Sequence, residues 1–257
     1  MENMKNLCII CLVSVLILLW CLFHNNLVKT KGIEKYEGNS NFENTGMYVL
    51  YVPKREQYIK DVMKKMKLNP EFVQGPDKNK LDLLQLKKDK IIEKNINLSK
   101  GHIACYFGHL NILKKFVESD YKYALIFEDD IKLPSNTNET YDKIKYSINN
   151  IPNNTDFLYL GFYSERCDKL IKYNDIFNHS YKPTGIHSYL INKKFANIIL
   201  KNSYPINIEI DRLYYRDFKL KINKYSVNKN YLHIEQNFKL DNARENVGIR
   251  DIPPVCI

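Results

Sequence analysis

Tyr123-Ala124-Leu125-Ile126-Phe127-Glu128-Asp129-Asp130 is the stretch that decides how this chain folds. An unbroken apolar run of this length makes a strand covered on both faces, and three acids follow where it ends. Open α/β sheets bind ligands beyond the carboxyl ends of such strands. Adjacent carboxylates repel one another unless a cation lies among them, and hard oxygen ligands suit Mn²⁺ or Mg²⁺ carrying a diphosphate. Asp130 and then Glu128 are the expected metal ligands, because alternate residues leaving a strand project to the same side. Asp129 is left for ribose hydroxyls or a metal-bound water. A solvated acidic turn is the plainer alternative for the tripeptide.

The segment before it strengthens the first reading. Ser99 is a good helix N-cap, and Ile103, Phe107, Leu110, Leu113 and Val117 then recur at helical spacing. The local order is helix, short polar link, buried strand, acids. Ser99, Gly101, Ile103, Cys105 and His109, with the triplet Glu128, Asp129 and Asp130, resemble the hallmark of glycosyltransferase family 25, which includes lipopolysaccharide-type and collagen-type sugar transferases. The likeness extends to Met47–Val52 with Arg55, to Asp156–Gly161, to His187–Ile191 before Ala196, and to Ile210-Asp211. It covers roughly residues 47 to 236. His102, Ala104, Gly108 and Phe157 stand where the family usually has Glu, Gly, Ser and Trp. The change at His102 removes a carboxylate from a helix N-terminus, where it would favour the dipole by a few tenths of a kcal/mol.

The resemblance implies an α/β fold of the GT-A kind, a nucleotide-sugar-binding sheet flanked by helices, and an inverting transfer. The donor would be a nucleotide sugar, UDP-linked for preference, and the acceptor a hydroxyl on protein or glycan. An inverting enzyme needs a carboxylate to deprotonate the acceptor. Asp211 falls where the family carries an acid, with Glu209 as alternate; a helix-cap acid or a partner of Arg212 or Arg216 is the plain reading of Asp211. Arg55 is placed to meet the nucleotide, its alternative being a surface arginine. Gly161 ends a strand where backbone can approach a ligand closely. His233 and Gln236 follow a late strand, and His233 is a candidate further metal ligand or else a hydrogen-bonded structural histidine. His109, inside the helix, reads as structural.

The 257 residues suffice for one well-buried domain. Strands alternating with helices indicate a sheet with helices on both faces. The net charge of +10 comes from 39 basic and 29 acidic residues, with lysine spread along the chain. General attraction to anions such as nucleotide diphosphates or acidic lipid follows. Nucleic acid is excluded as a partner, because no zinc-finger spacing, RNP-like pattern or Arg-rich stripe is present.

Leu7 to Phe23 is apolar except for Ser14, about 17 residues and near the lower limit for a bilayer span. Trp20 suits the interface, and no small-x-small cleavage site follows. The expected organisation is a short tail (1–6), a membrane signal anchor (7–23), a polar stem (24–46) and a glycosyltransferase domain (47–257). Lysine counts around the span lean toward a cytosolic domain, whereas the resemblance leans toward a type II protein of the secretory pathway with a lumenal domain. Cys8, Cys11 and Cys21 fall in the anchor, and Cys105, Cys167 and Cys256 do not make a disulfide framework. Within the domain, helices are expected over Gln57–Met66, Lys80–Lys94 and Lys193–Leu200. Two other functions share these features: a pseudoenzyme that binds nucleotide sugar or glycan without turnover, and a metal-dependent phosphohydrolase, which would need more His and Asp ligands than the sequence offers.

Overall fold

A computed structural model describes residues 40–240 apart from 217, 219 and 220. The proposed anchor Leu7–Phe23, the residues before it, most of the stem and the tail from 241 lie outside the described residues. Among the described residues no helix is long and apolar enough to cross a membrane.

The described strands are β1 (Thr45–Tyr51), β2 (Glu71–Gln74), β3 (Tyr123–Glu128), β4 (Phe157–Gly161), β5 (Ile171–Lys172), β6 (Phe177–His179), β7 (Ser188–Asn192) and β8 (Lys224–Val227). They form one sheet in the order β2-β1-β3-β7-β4-β8-β6-β5. β2, β1 and β3 are mutually parallel, β7 runs antiparallel between β3 and β4, and β4 pairs parallel with β8. The carboxyl ends of β1, β3, β4 and β8 therefore share one edge with the amino end of β7. That edge is where a ligand site is expected.

The helices are α1 (Glu56–Lys65), α2 (Leu83–Lys88), α3 (Lys100–Glu118), α4 (Thr137–Asn149), α5 (Lys193–Lys201) and α6 (Ile210–Tyr215). β3 shows why both faces of the sheet are covered. Ala124 and Ile126 join the core built with Leu110 and Leu113 of α3, Phe195 of α5 and Leu213 of α6. Leu125 and Phe127 join the opposite core with Ile59 and Met63 of α1 and Ile144 of α4. Period-two alternation thus sends successive β3 side chains into different cores. Each fully buried large side chain contributes about 1.5–3 kcal/mol of transfer free energy, and Phe157 does so while stacked on Tyr189 at 5.0 Å between centroids.

Two boundaries differ from expectation. The folded domain begins before Met47: Phe42 is buried, its amide donates to Asn149 Oδ1 at 2.9 Å, and its ring meets Tyr141 edge-on, so residues 41–46 belong to the domain and not to the stem. The Lys80–Lys94 segment is helical only over Leu83–Lys88. Asp82 caps that turn by accepting the Leu84 and Gln85 amides, and Lys90 at φ 57° stops it. Ile92 then leaves as an extended residue bridged to Ile206.

Candidate active site

β3 delivers the acidic triplet to the shared edge, and each acid meets different surroundings. Glu128 continues the alternation toward α3, where His109 Nε2 lies 3.0 Å from its Oε1 and Cys105 Sγ 3.7 Å away. Burial alone would raise this carboxyl; the hydrogen bond from His109 outweighs it and leaves Glu128 below its ordinary value. Asp129 turns toward the first strand. Its Oδ2 accepts the Val52 amide at 2.6 Å and its Oδ1 lies 2.7 Å from Arg55 Nη2.

Asp130 is buried, its Oδ2 accepts from Gln236 Nε2 at 2.9 Å, and its Oδ1 is buried with no partner. Burial foremost, with the Glu128 carboxylate next, pushes its pKa up to about 7. An orphaned carboxylate oxygen in this setting is costly unless a proton or a cation satisfies it.

The segment 234–237 closes over this edge. Ile131 and Gln236 bridge, Asn237 N donates to the Asp130 carbonyl, and the Leu240 carbonyl accepts from Arg55 Nη1 at 2.7 Å. Arg55 is therefore a partner of Asp129 and of the chain's own backbone. Gly161 differs from expectation too. A Cβ there would lie 2.5 Å from the Ile234 carbonyl and 2.7 Å from the His187 ring, so the chain itself fills the space a side chain would take. The glycine is required by packing.

Asp211, half-buried in the first turn of α6, accepts the Gly185 amide on Oδ2 at 3.1 Å and the Arg212 amide on Oδ1 at 2.8 Å. Burial raises its pKa, against the pull of those two amides. A carboxylate of raised basicity is suited to accept a proton. Glu209 stands at the N-cap position of α6 without a side-chain capping bond and pairs with Arg212 Nε at 3.3 Å, the ion-pair role that Asp211 was also open to.

The expected metal set Glu128, Asp130 and His233 is not gathered. Among the described residues, the His, Cys and carboxylate atoms that come together within 4.8 Å are those of Cys105, His109 and Glu128. His233 instead faces Phe162 and His187, its Nδ1 is buried without a partner, and burial with the Lys229 charge holds its pKa down at about 3. Both ring nitrogens of His109 are already engaged, Nδ1 by the Tyr189 hydroxyl at 2.9 Å and Nε2 by Glu128. That set is a hydrogen-bonded cluster whose sulfur and nitrogen donors do not suit Mn²⁺ or Mg²⁺. The residue whose chemistry fits a hard cation is Asp130, through its free Oδ1.

Two of the three departures from the family's helix start, at His102 and Gly108, have local explanations. The His102 amide donates to Ser99 Oγ at 3.2 Å and the Ser99 amide donates back to His102 Nδ1 at 3.4 Å, so histidine completes the capping box that Glu would make. At Gly108 a Cβ would lie 2.5 Å from Leu50 Cδ1, and β1 supplies the bulk that removes room for a serine.

Comparison with known proteins decides the affiliation. The family described as Glycosyltransferase family 25 (LPS biosynthesis protein) matches residues 51–214. The chain belongs to glycosyltransferase family 25. The matched stretch of this family 25 chain includes Arg55, the acidic triplet, Gly161, Glu209 and Asp211, while His233 and Gln236 lie past it. A Haemophilus influenzae protein described as "Putative glycosyltransferase" is 27% identical over 128 residues, which are 47% of this chain and 43% of that protein. The chain thus spans less than half the length of that curated relative. The crystal structure of a glycosyltransferase involved in the glycosylation of the major capsid of PBCV-1 superposes with a TM-score of 0.38 and 14% identity, over 75% of this chain and 81% of that one.

Sequence reasoning missed the buried tyrosines behind Glu128 and the strap at 234–240. Tyr189 and Tyr214 carry no sequence signal, since each reads as an ordinary core aromatic. Gln236 was visible only as a polar residue after a strand.

Proposed function

We propose that this chain is a glycosyltransferase of the GT-A kind that moves a sugar from a nucleotide-sugar donor, UDP-linked for preference, to a hydroxyl on a protein or glycan acceptor with inversion. The observation that carries the reading is a pair of carboxylates at one sheet edge: buried Asp130 with an unsatisfied oxygen, and half-buried Asp211 with raised basicity at the entry to β7. Asp130 would hold a Mn²⁺ or Mg²⁺ ion, which when bound supplies charge stabilisation to the departing diphosphate. Arg55 adds a fixed positive charge beside it.

Asp211 takes the proton of the acceptor hydroxyl as that oxygen bonds to the anomeric carbon. The bond from that carbon to the diphosphate breaks, and the nucleoside diphosphate leaves with the electron pair. Removal of the proton on one face and departure on the other gives inversion. The departures at His102 and Gly108 fall on capping and packing, which supports an active transferase over a pseudoenzyme. The apolar segment Leu7–Phe23 is proposed as a signal anchor that holds the domain at a membrane of the secretory pathway.

A screen of UDP-, GDP- and CMP-sugars with Mn²⁺ over a broad acceptor panel tests the reading. Transfer by the wild type, lost in Asp130→Asn, is the expected result. Donor binding without transfer by the wild type across the panel would instead mark a pseudoenzyme.

A further inference from the structure

Tyr214, Tyr189, His109 and Glu128 form a line of hydrogen bonds from α6 through β7 and α3 to the end of β3. The Tyr214 and Tyr189 hydroxyls are 3.0 Å apart, Tyr189 Oη is 2.9 Å from His109 Nδ1, and His109 Nε2 is 3.0 Å from Glu128 Oε1. Tyr214, Tyr189 and His109 are wholly buried. Phenylalanine would fill the same space without a polar atom, so the two hydroxyls need a reason.

Proton counting gives one. An ionised carboxylate only accepts, so His109 Nε2 donates to Glu128. If Tyr189 donates to Nδ1 and accepts from Tyr214, every proton in the line has an acceptor. A proton on Nδ1 would turn Tyr189 round and leave the Tyr214 proton without an acceptor in the line. The tyrosines thus reinforce the tautomer that Glu128 demands of His109. α6 also carries Asp211, and the Gly185 amide that holds Asp211 lies just ahead of β7, which carries Tyr189.

We propose that Tyr214, Tyr189 and His109 are positioning residues that fix the Nε2–H tautomer of His109, aim Glu128 into the site and hold it in a set relation to Asp211. This inference rests on the glycosyl-transfer reading for its functional effect but not for its structural content. The chain acts on the geometry of the transfer step, so its loss lowers kcat and leaves donor binding alone.

Two measurements on the full chain test it. Nitrogen NMR of the His109 ring in the wild type is expected to show a protonated Nε2 and a bare Nδ1 that accepts a hydrogen bond, with the hydrogen-bond shift at Nδ1 lost in Tyr189→Phe. Steady-state kinetics are expected to show kcat down by about tenfold or more in Tyr189→Phe, the range seen when a hydrogen-bonded support behind a functional histidine is removed, with donor KM within about twofold. Tyr214→Phe, one link further away, is expected to move both readouts the same way by less, and it serves if Tyr189→Phe does not fold. A wild-type ring protonated on Nδ1, or Tyr189→Phe with an unchanged Nδ1 signal and kcat, overturns the proposal. A wild type that transfers no sugar removes the proposed function, and the NMR result still decides the tautomer.

Discussion

Asp129 ties the ends of β1 and β3 together: its Oδ1 is 2.7 Å from Arg55 Nη2 while its Oδ2 accepts the Val52 amide at 2.6 Å. Both oxygens of this buried carboxylate have partners within the chain, so Asp129 organises the edge. Asp130, next in sequence, keeps the unsatisfied oxygen. The division follows from the chain leaving the strand, which turns one acid toward Arg55 and the other toward Gln236.

Arg55→Ala should therefore be felt mainly as lost stability. It strands a buried carboxylate, and breaking a buried pair from one side costs about 3 kcal/mol or more. It also frees the Leu240 carbonyl. Arg55→Lys keeps the charge but cannot span both partners, and it should fall between. Urea midpoints for the three proteins check this, and an Arg55→Ala midpoint equal to wild type would show that the pair is not holding the edge.

Asp130 predicts a pH slope. Its folded carboxyl titrates near 7 against an ordinary 3.8, so the folded state binds more protons than the unfolded state between those values. Asp130's own contribution to stability is then greatest below about pH 4, declines as pH rises toward 7, and stays lower above it, by on the order of a few kcal/mol, while the depressed His233 contributes with the opposite sign, so the slope is read as the difference between wild type and Asp130→Asn. Asp130→Asn should flatten that decline and melt above wild type at pH 8 in EDTA. Mn²⁺ should raise the wild-type Tm at pH 8 and leave the variant's unchanged. Parallel Tm-against-pH curves for the two proteins would sink the assignment.

Gly108→Ser, which restores the family's usual residue, should destabilise this chain. Leaving glycine in a helix gains up to about 1 kcal/mol, but overpacking a filled site costs about 1–3. The clash is with the Leu50 side chain, so the double variant with Leu50→Ala should recover more than the two single effects added together. Simple additivity in a double-mutant cycle would place the cause elsewhere.

How far the sequence revealed this edge depended on how local each feature is. The run 123–127 is legible because both faces of β3 are buried, and α3 because its cap and period lie within one segment. β5 and β6 span only Ile171–Lys172 and Phe177–His179, too short for any period to show. α4 buries just Thr140, Ile144, Ser147 and Ile148 from a polar sequence, and its amphipathic signal is correspondingly faint. The acids were readable as neighbours in the chain. Their division of labour was not, because it is set by residues up to 106 positions away, as at Gln236 and Asp130. Gly161 was read as open toward a ligand because nothing local announces that Ile234 and His187 will pack there.

Asp211 carries the last prediction. Its two oxygens accept the Gly185 and Arg212 amides, so Asp211→Asn must point its new N–H₂ at one of them, and a modest loss of stability of about 1 kcal/mol should accompany any loss of chemistry. The chemical effect should be far larger: transfer down by about a hundredfold or more, with donor affinity retained, because the group acts on the acceptor hydroxyl. Glu209→Gln loses only a half-exposed contact with Arg212 and should change transfer by less than about twofold, as surface ion pairs contribute little. Kinetics at saturating donor separate the two, with calorimetric donor binding as control. A large loss at Glu209→Gln beside a nearly silent Asp211→Asn would move the base to the helix cap, and the raised basicity of Asp211 would then reflect burial alone.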